Sequence, residues 1–419
     1  AGFTLQMPCA VSAAGHVTRS AAVFTAALRR RRFRRMSINM RALGAFVTRG
    51  FLAGVLLTAV GTATPAAAQR AATPERLTRH VVLVVTDGLR WQEMFGGAEA
   101  ALMTRQPGGV SDTAALRRDF ARPSAAERRA ALFPFVWGTI AREGQLYGNP
   151  EQGSDARTVN PRKFSYPGYN EIFTGAYDPR IDSNDYPPNP NQTVFEWVAK
   201  QPGFAGRVAA VATWSAFRRI FNVGRAGFPV YDGWDPPFAA APTRTERQAT
   251  IDALYRTTTR IWGDNALDAL MHATAKEVLR RDRPRLLFVG YGETDEWAHA
   301  GRYDLLLRSA HGVDAFLADL WATLQADPEY RGRTTLVVTT DHGRGDGPAR
   351  WKDHGEDVDG ADRIWLAVLG PDTPPRGDRV TTPRVTQAQV AATVAALLGL
   401  DWPAASPSAA PPVREALRP

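Results

Sequence analysis

The stretch "RTTLVVTTDHGRG", Arg333 to Gly345, carries two readings at once. Its first part, Thr334 to Thr340, is an unbroken run of β-branched and aliphatic residues. Such a run has no polar side to turn toward water, so it reads as a strand buried on both faces of a parallel sheet. Its second part, Asp341-His342-Gly343-Arg344-Gly345, puts a carboxylate and an imidazole where that strand must leave the sheet. Shortly afterwards Asp353-His354-Gly355 repeats the triplet, in a chain with only seven histidines among 419 residues, so the pair is either a polar surface loop or part of a metal site.

Working outward, runs of the same kind recur as "VVLVVT" (Val81 to Thr86), "VAAVAT" (Val208 to Thr213), "RLLFVGY" (Arg285 to Tyr291) and "IWLAVL" (Ile364 to Leu369). Helical patterns lie between them, most clearly over Asn191 to Lys200, Glu246 to Arg281, Tyr303 to Ala326 and Thr386 to Leu398. Strand alternating with helix predicts an α/β fold: a doubly wound, mostly parallel central sheet with helices on both faces. The stretch from Gly96 to Ala130 interrupts the rhythm and reads as an inserted excursion. Tyr177 to Gln192, dense in Pro, Asn and Asp, is expected to be an ordered loop, and residues 403–419 a loose Pro/Ala-rich tail.

The formal charge of +9 does not belong to this body. The first 68 residues hold nine arginines and no lysine or acidic residue, and 9 − 9 leaves the remainder near neutral. Nucleic-acid binding by the mature chain is therefore not expected. From Met40 the order is a basic "MRALGAFVTRG", an apolar "FLAGVLLTAV" and a small-residue "GTATPAAAQ". That is the layout of a signal peptide cleaved after Ala68, which predicts a periplasmic or secreted protein. Residues before Met40 are expected to be an extension outside the native chain. The apolar run is short for a bilayer span, so membrane attachment follows only if the leader is not cleaved. Residues 69–402 are expected to form the catalytic domain. The one cysteine, Cys9, lies in the leader, which leaves the body without disulfides, thiolate-held zinc or a cysteine nucleophile.

In open α/β sheets ligands bind at the carboxyl ends of the strands. Just past three of the five runs stand Asp87, the segment "GETDEWAH" with Asp295 and His299, and Asp341-His342. Taken singly, Asp87 reads equally as a helix cap, and Asp295/His299, four apart on a helical face, as a surface hydrogen bond. Together with His354 they make three Asp and three His. Oxygen and nitrogen donors without thiolate suit Zn²⁺, Mn²⁺ or Fe, and six are more than one tetrahedral ion needs. Two ions sharing a cleft, the arrangement for an in-line phosphoryl displacement, fit the count.

The ordered set of Asp, a hydroxyl in "FSYPGYNEIFTG", Asp-x-x-x-His, Asp-His-Gly and His-Gly resembles the alkaline phosphatase superfamily, in its type I phosphodiesterase/nucleotide pyrophosphatase-like branch. The resemblance runs from about His80 to about Gly370. It implies two divalent ions, most simply Zn²⁺, one held by Asp87, Ser165, Asp341 and His342, the other by Asp295, His299 and His354. It makes Ser165 the nucleophile and gives Asn184 a non-bridging phosphate oxygen, with Asn189 and Asn191 as competitors. Asp353 matches no ligand of the pattern. The local sequence agrees with a helix start: Ser165 can cap a helix from Tyr166 to about Thr174, with Pro167 in the first turn and Gly175 ending it. A hydroxyl there faces free N–H groups and the positive end of the helix dipole. Sulfatases of the superfamily carry Arg four residues after the nucleophile, where this chain has Tyr169.

The expectation is an exported two-metal hydrolase of small phosphoric esters, monoester or diester, acting through a phosphoseryl intermediate. A sulfuric ester or phosphonate hydrolase on the same scaffold is the alternative. So is a non-catalytic metal-binding protein, against which the complete ligand set argues.

Overall fold

The computed structural model describes residues 76–419, all within one compact unit spanning Arg70–Pro419. The leader, the cleavage position and the extension before Met40 lie outside the described residues.

The strands are β1 (His80–Thr86), β2 (Gln145–Tyr147), β3 (Ala156–Arg157), β4 (Val208–Ala212), β5 (Val230–Asp232), β6 (Leu286–Tyr291), β7 (Thr334–Thr339), β8 (Leu366–Leu369), β9 (Gly377–Asp378) and β10 (Val385–Thr386). Eight form one sheet in the order β5-β4-β6-β1-β7-β8-β2-β9, and β10 pairs with β3 apart from it. Only β8 runs against the others. All five runs read from the sequence are strands of this mostly parallel sheet, as expected, and β8 is the antiparallel one.

The alternation of side chains along β1 shows why its sequence is apolar at every position from Val81 to Val85. Val82 and Val84 join a core with the helices Asp268–Asp282 and Tyr303–Ala326, while Val81, Leu83 and Val85 join a second core with the helices Ser165–Thr174 and Gln389–Leu397. A two-sided strand has no face on which a polar residue would be free of cost. Each Val or Leu so buried contributes about 1.5–3 kcal/mol relative to exposure.

Two expectations are corrected. The long helical pattern from Glu246 to Arg281 is two helices, Glu246–Thr257 and Asp268–Asp282. Between them Asn265 bridges to Trp214 and the Ala266 amide donates to the Thr213 carbonyl, so this segment extends the end of β4. The excursion at 96–130 carries two short helices, Thr113–Phe120 and Ala125–Leu132. The tail at 403–419 is not loose: Ala409, Val413 and Ala416 are buried in the second core, and the Val413 amide donates to Thr393 Oγ1. Its small apolar residues pack against the helix Gln389–Leu397 instead of flexing in solvent. Among the described residues no helix is long and apolar enough to cross a membrane.

Candidate metal centre

β6, β1 and β7 are neighbours at the middle of the sheet and all three run parallel. Their carboxyl ends therefore deliver Asp295, Asp87 and Asp341-His342 to one crevice. Two sets of ligand atoms converge there, each within 4.8 Å of one another: Asp87, Asp295 and His342, and Asp295, His299 and His354. Asp295 belongs to both sets, where the sequence pattern placed it in one.

The first basin forms around His342, which is fully buried. Its Nδ1 meets the Gly343 carbonyl at 2.9 Å, which orients the ring and leaves Nε2 facing the crevice. Nε2 is 3.3 Å from Asp87 Oδ1, 3.5 Å from Asp341 Oδ2 and 3.5 Å from Ser165 Oγ. Asp87 Oδ1 and Asp341 Oδ2 are buried without any hydrogen-bond partner. Unpaired buried carboxylate oxygens are costly, so this pair requires a compensating charge. Burial works against a proton on His342, yet Asp341 and Asp87 outweigh it and push the imidazole up to about 9. Burial, with Asp87 adding to it, raises Asp341 to about 7.

In the second basin His299 Nε2 lies 2.9 Å from His354 Nε2 and 3.2 Å from Asp295 Oδ2. His354 Nδ1 meets the Lys163 carbonyl at 3.1 Å, and Lys163 has φ 53, the left-handed turn that aims this carbonyl at the ring. Burial and the neighbouring His342 hold both imidazoles below the usual histidine range, so they stay neutral and ligand-ready. With metal–ligand bonds of about 2.0–2.2 Å, a tetrahedral edge is roughly 3.3–3.6 Å; the contacts of His342 Nε2 with Asp87, Asp341 and Ser165 fall at 3.3–3.5 Å, and those of the second basin span 2.9–3.8 Å. The donors and their spacing fit divalent cations such as Zn²⁺ or Mn²⁺.

Ser165 is placed where the sequence suggested but does not cap its helix. Phe164 occupies the cap position, with no side-chain bond, and Ser165 opens the helix Ser165–Thr174. Asn184 takes the capping role, its Oδ1 accepting from the Tyr166 amide at 2.9 Å, so the serine hydroxyl is left for the crevice. Among the described residues the Asn184 amide nitrogen has no partner, whereas Asn189 and Asn191 both donate to Asn170 Oδ1 and hold the loop. Gly168 is required by close approach: a Cβ there would lie 2.4 Å from the Asp341 carbonyl oxygen. The Lys163 ammonium binds the Glu356 and Val358 carbonyls, and Asp353 pairs with Arg350, so neither faces the crevice.

Several contributors carried no sequence signal. The buried Tyr169 hydroxyl donates to Asp87 Oδ2 at 3.2 Å. Thr294 Oγ1 donates to the Asp87 carbonyl, and Gln387 Nε2 to the Asp341 carbonyl at 2.6 Å. Arg344, 1% exposed, contacts Asp295 Oδ1.

The family model for type I phosphodiesterase/nucleotide pyrophosphatase matches residues 162–364, the segment from the Ser165 loop through the second His-Gly. Over this segment, just under half of the chain, the sequence is similar to that family of the alkaline phosphatase superfamily. One solved structure agrees in fold. Wild-type alkaline phosphatase PafA superposes with a TM-score of 0.53 at 11% identity, over 83% of this chain and 100% of that one. The phosphonate monoester hydrolase from Silicibacter pomeroyi gives 0.48 at 15% identity, over 81% of this chain and 76% of that one. That of Agrobacterium radiobacter gives 0.47 at 13%, over 77% and 74%. No curated protein matches the chain.

Proposed function

We propose that the chain is an exported hydrolase of small phosphoric esters that uses two divalent ions, Zn²⁺ being the natural candidate, and Ser165 as nucleophile. The observation that carries the reading is the placement of Ser165 Oγ. It sits at the start of a ten-residue helix, 3.5 Å from His342 Nε2 and beside the unpartnered oxygens of Asp87 and Asp341.

Asp87, Ser165, Asp341 and His342 would hold one ion and Asp295, His299 and His354 the other, with Asp295 within reach of both. Ions so held supply positive charge against the phosphoryl, nucleophile and leaving oxygens. The start of the helix Ser165–Thr174 adds the positive end of its dipole. Ser165 Oγ, having released its proton to solvent, forms a bond to phosphorus as the bond to the ester oxygen breaks. The leaving alcohol then takes up a proton. Water next attacks phosphorus in the phosphoserine, freeing phosphate, or a phosphate monoester from a diester, and restoring the hydroxyl. The free amide nitrogen of Asn184 donates to a non-bridging phosphoryl oxygen. Tyr169, spent on Asp87, leaves the position of the sulfatase arginine without a cation, which favours phosphate over sulfate.

Zinc-loaded protein should hydrolyse p-nitrophenyl phosphate or bis-p-nitrophenyl phosphate far faster than p-nitrophenyl sulfate. A preference for the sulfate, or no turnover of any of the three, rejects the reading.

A further inference from the structure

We propose that Arg344 is a positioning residue of the metal centre, its buried guanidinium holding the segments that bear Asp87, Asp295, Asp341-His342 and His354 in register. The inference rests on the metal-dependent reading above. Arg344 Nε donates to the Gly88 carbonyl at 3.1 Å, next to Asp87. Nη1 donates to the Lys352 carbonyl at 2.6 Å, two residues before His354. Nη2 contacts the Asp295 carbonyl at 3.3 Å and, more closely, Asp295 Oδ1. The side chain itself leaves the backbone just after Asp341-His342. The turn after β1, the helix Glu293–His299, the loop to His354 and the exit of β7 thus meet at one planar fork.

Its surroundings are built to admit it. A Cβ on Gly88 would lie 2.8 Å from both Arg344 Nη2 and Asp295 Oδ1, and the backbone there has φ +59. Glycine after Asp87 is therefore what lets the guanidinium and the carboxylate meet. The carboxylate so gripped is the one shared by both basins. Its Oδ1 faces His342 Nε2 and His354 Nε2, at 3.8 Å each, while Oδ2 faces His299. A rotation of the Asp295 carboxylate would spoil both basins together.

Two roles for this cation make opposite predictions. If Arg344 acted only as a charge, removing it would make the site more negative and bind metal more tightly. If it positions ligands, removing it weakens binding, by the about 10–100-fold typical of groups that orient metal ligands. Arg344→Lys separates the two, because an ammonium keeps the charge but cannot span the carbonyls as a fork.

The test is calorimetric titration of metal-free wild type, Arg344→Met and Arg344→Lys with zinc chloride, together with the melting temperature of each metal-free protein. Both variants are expected to fold and to bind zinc about 10–100-fold more weakly. Zinc affinity unchanged or increased in either folded variant overturns the proposal. So does failure of both to fold, since Arg344 would then be a structural prop. Wild type that binds no zinc rejects the metal-dependent reading itself, a result separate from any behaviour of the variants.

Discussion

The Nε2 atoms of His299 and His354 face each other at 2.9 Å, one from the end of a helix and the other from a loop. With His354 Nδ1 against the Lys163 carbonyl, the His354 Nε2 lone pair points at its neighbour, and a proton or a cation must lie between them. The proposed cation makes Asp295 the pivot, because it alone serves both basins. His354→Ala should reduce bound zinc from two ions per chain to about one, His342→Ala should lose chiefly the other, and Asp295→Ala should lose both. Elemental analysis of zinc-loaded, desalted protein reads this directly. A single ion in fully active wild type refutes the two-basin assignment.

Ser165 makes no capping bond, so its hydroxyl has little structural work to lose. Ser165→Ala should therefore keep the melting temperature of wild type to within a few degrees while turnover falls by roughly a thousandfold or more, the scale of removing one member of a catalytic unit. Ser165→Thr should retain more activity than Ser165→Ala. Turnover and melting are to be measured on the same samples. Normal turnover in Ser165→Ala would falsify the nucleophile assignment and leave water as the direct attacker.

What was legible in the sequence follows from which signals are local. The runs of β1, β4, β6 and β7 announce themselves because a strand buried on both faces is built mainly of apolar and β-branched residues. Asp87, Asp295 and Asp341-His342 stand out because they follow such runs directly. β2, β3, β5, β9 and β10 are only two or three residues long and carry no periodicity to detect. Arg344 and Gln387 resemble surface residues in sequence, and only the tertiary fold buries them. Tyr169 was noticed for the arginine it replaces, but its bond to Asp87 spans 82 positions in the chain. The capping role passed from Ser165 to Asn184 for the same reason: a loop residue distant in sequence reached the Tyr166 amide.

The proposal of export rests on the order of basic, apolar and small residues from Met40 to Ala68. Expression of the full chain in a bacterial host should yield a periplasmic or secreted form whose N-terminus begins near Gln69. N-terminal sequencing of each cell fraction decides it, and an uncleaved chain confined to the cytoplasm counts against export.

The loop that brings Asn184 to the helix is itself pinned by Asp178. Its carboxylate accepts from the Arg180 amide at 3.0 Å, from Arg180 Nη2 at 2.6 Å and from Asn191 Nδ2 at 2.8 Å, tying the two ends of the loop together. The Arg180 side chain, with Asn191, holds this carboxyl down at about 2, against an ordinary 3.8. The sign follows from that depression. The charged form is favoured in the folded state, so the stability it adds is present above about 3.8 and is lost as the pH falls through about 2. Arg180 is well exposed, so solvent screening reduces the contribution to roughly 0.5–1 kcal/mol. Asp178→Asn should therefore unfold at lower urea than wild type at neutral pH, with the gap narrowing steadily once the pH drops below the ordinary carboxyl value. Because the same bonds steady Asn184, the variant should also raise KM for the phosphate ester more than it lowers kcat. A gap in urea midpoint that is the same at neutral and at strongly acid pH would show that Asp178 acts by its shape and not its charge.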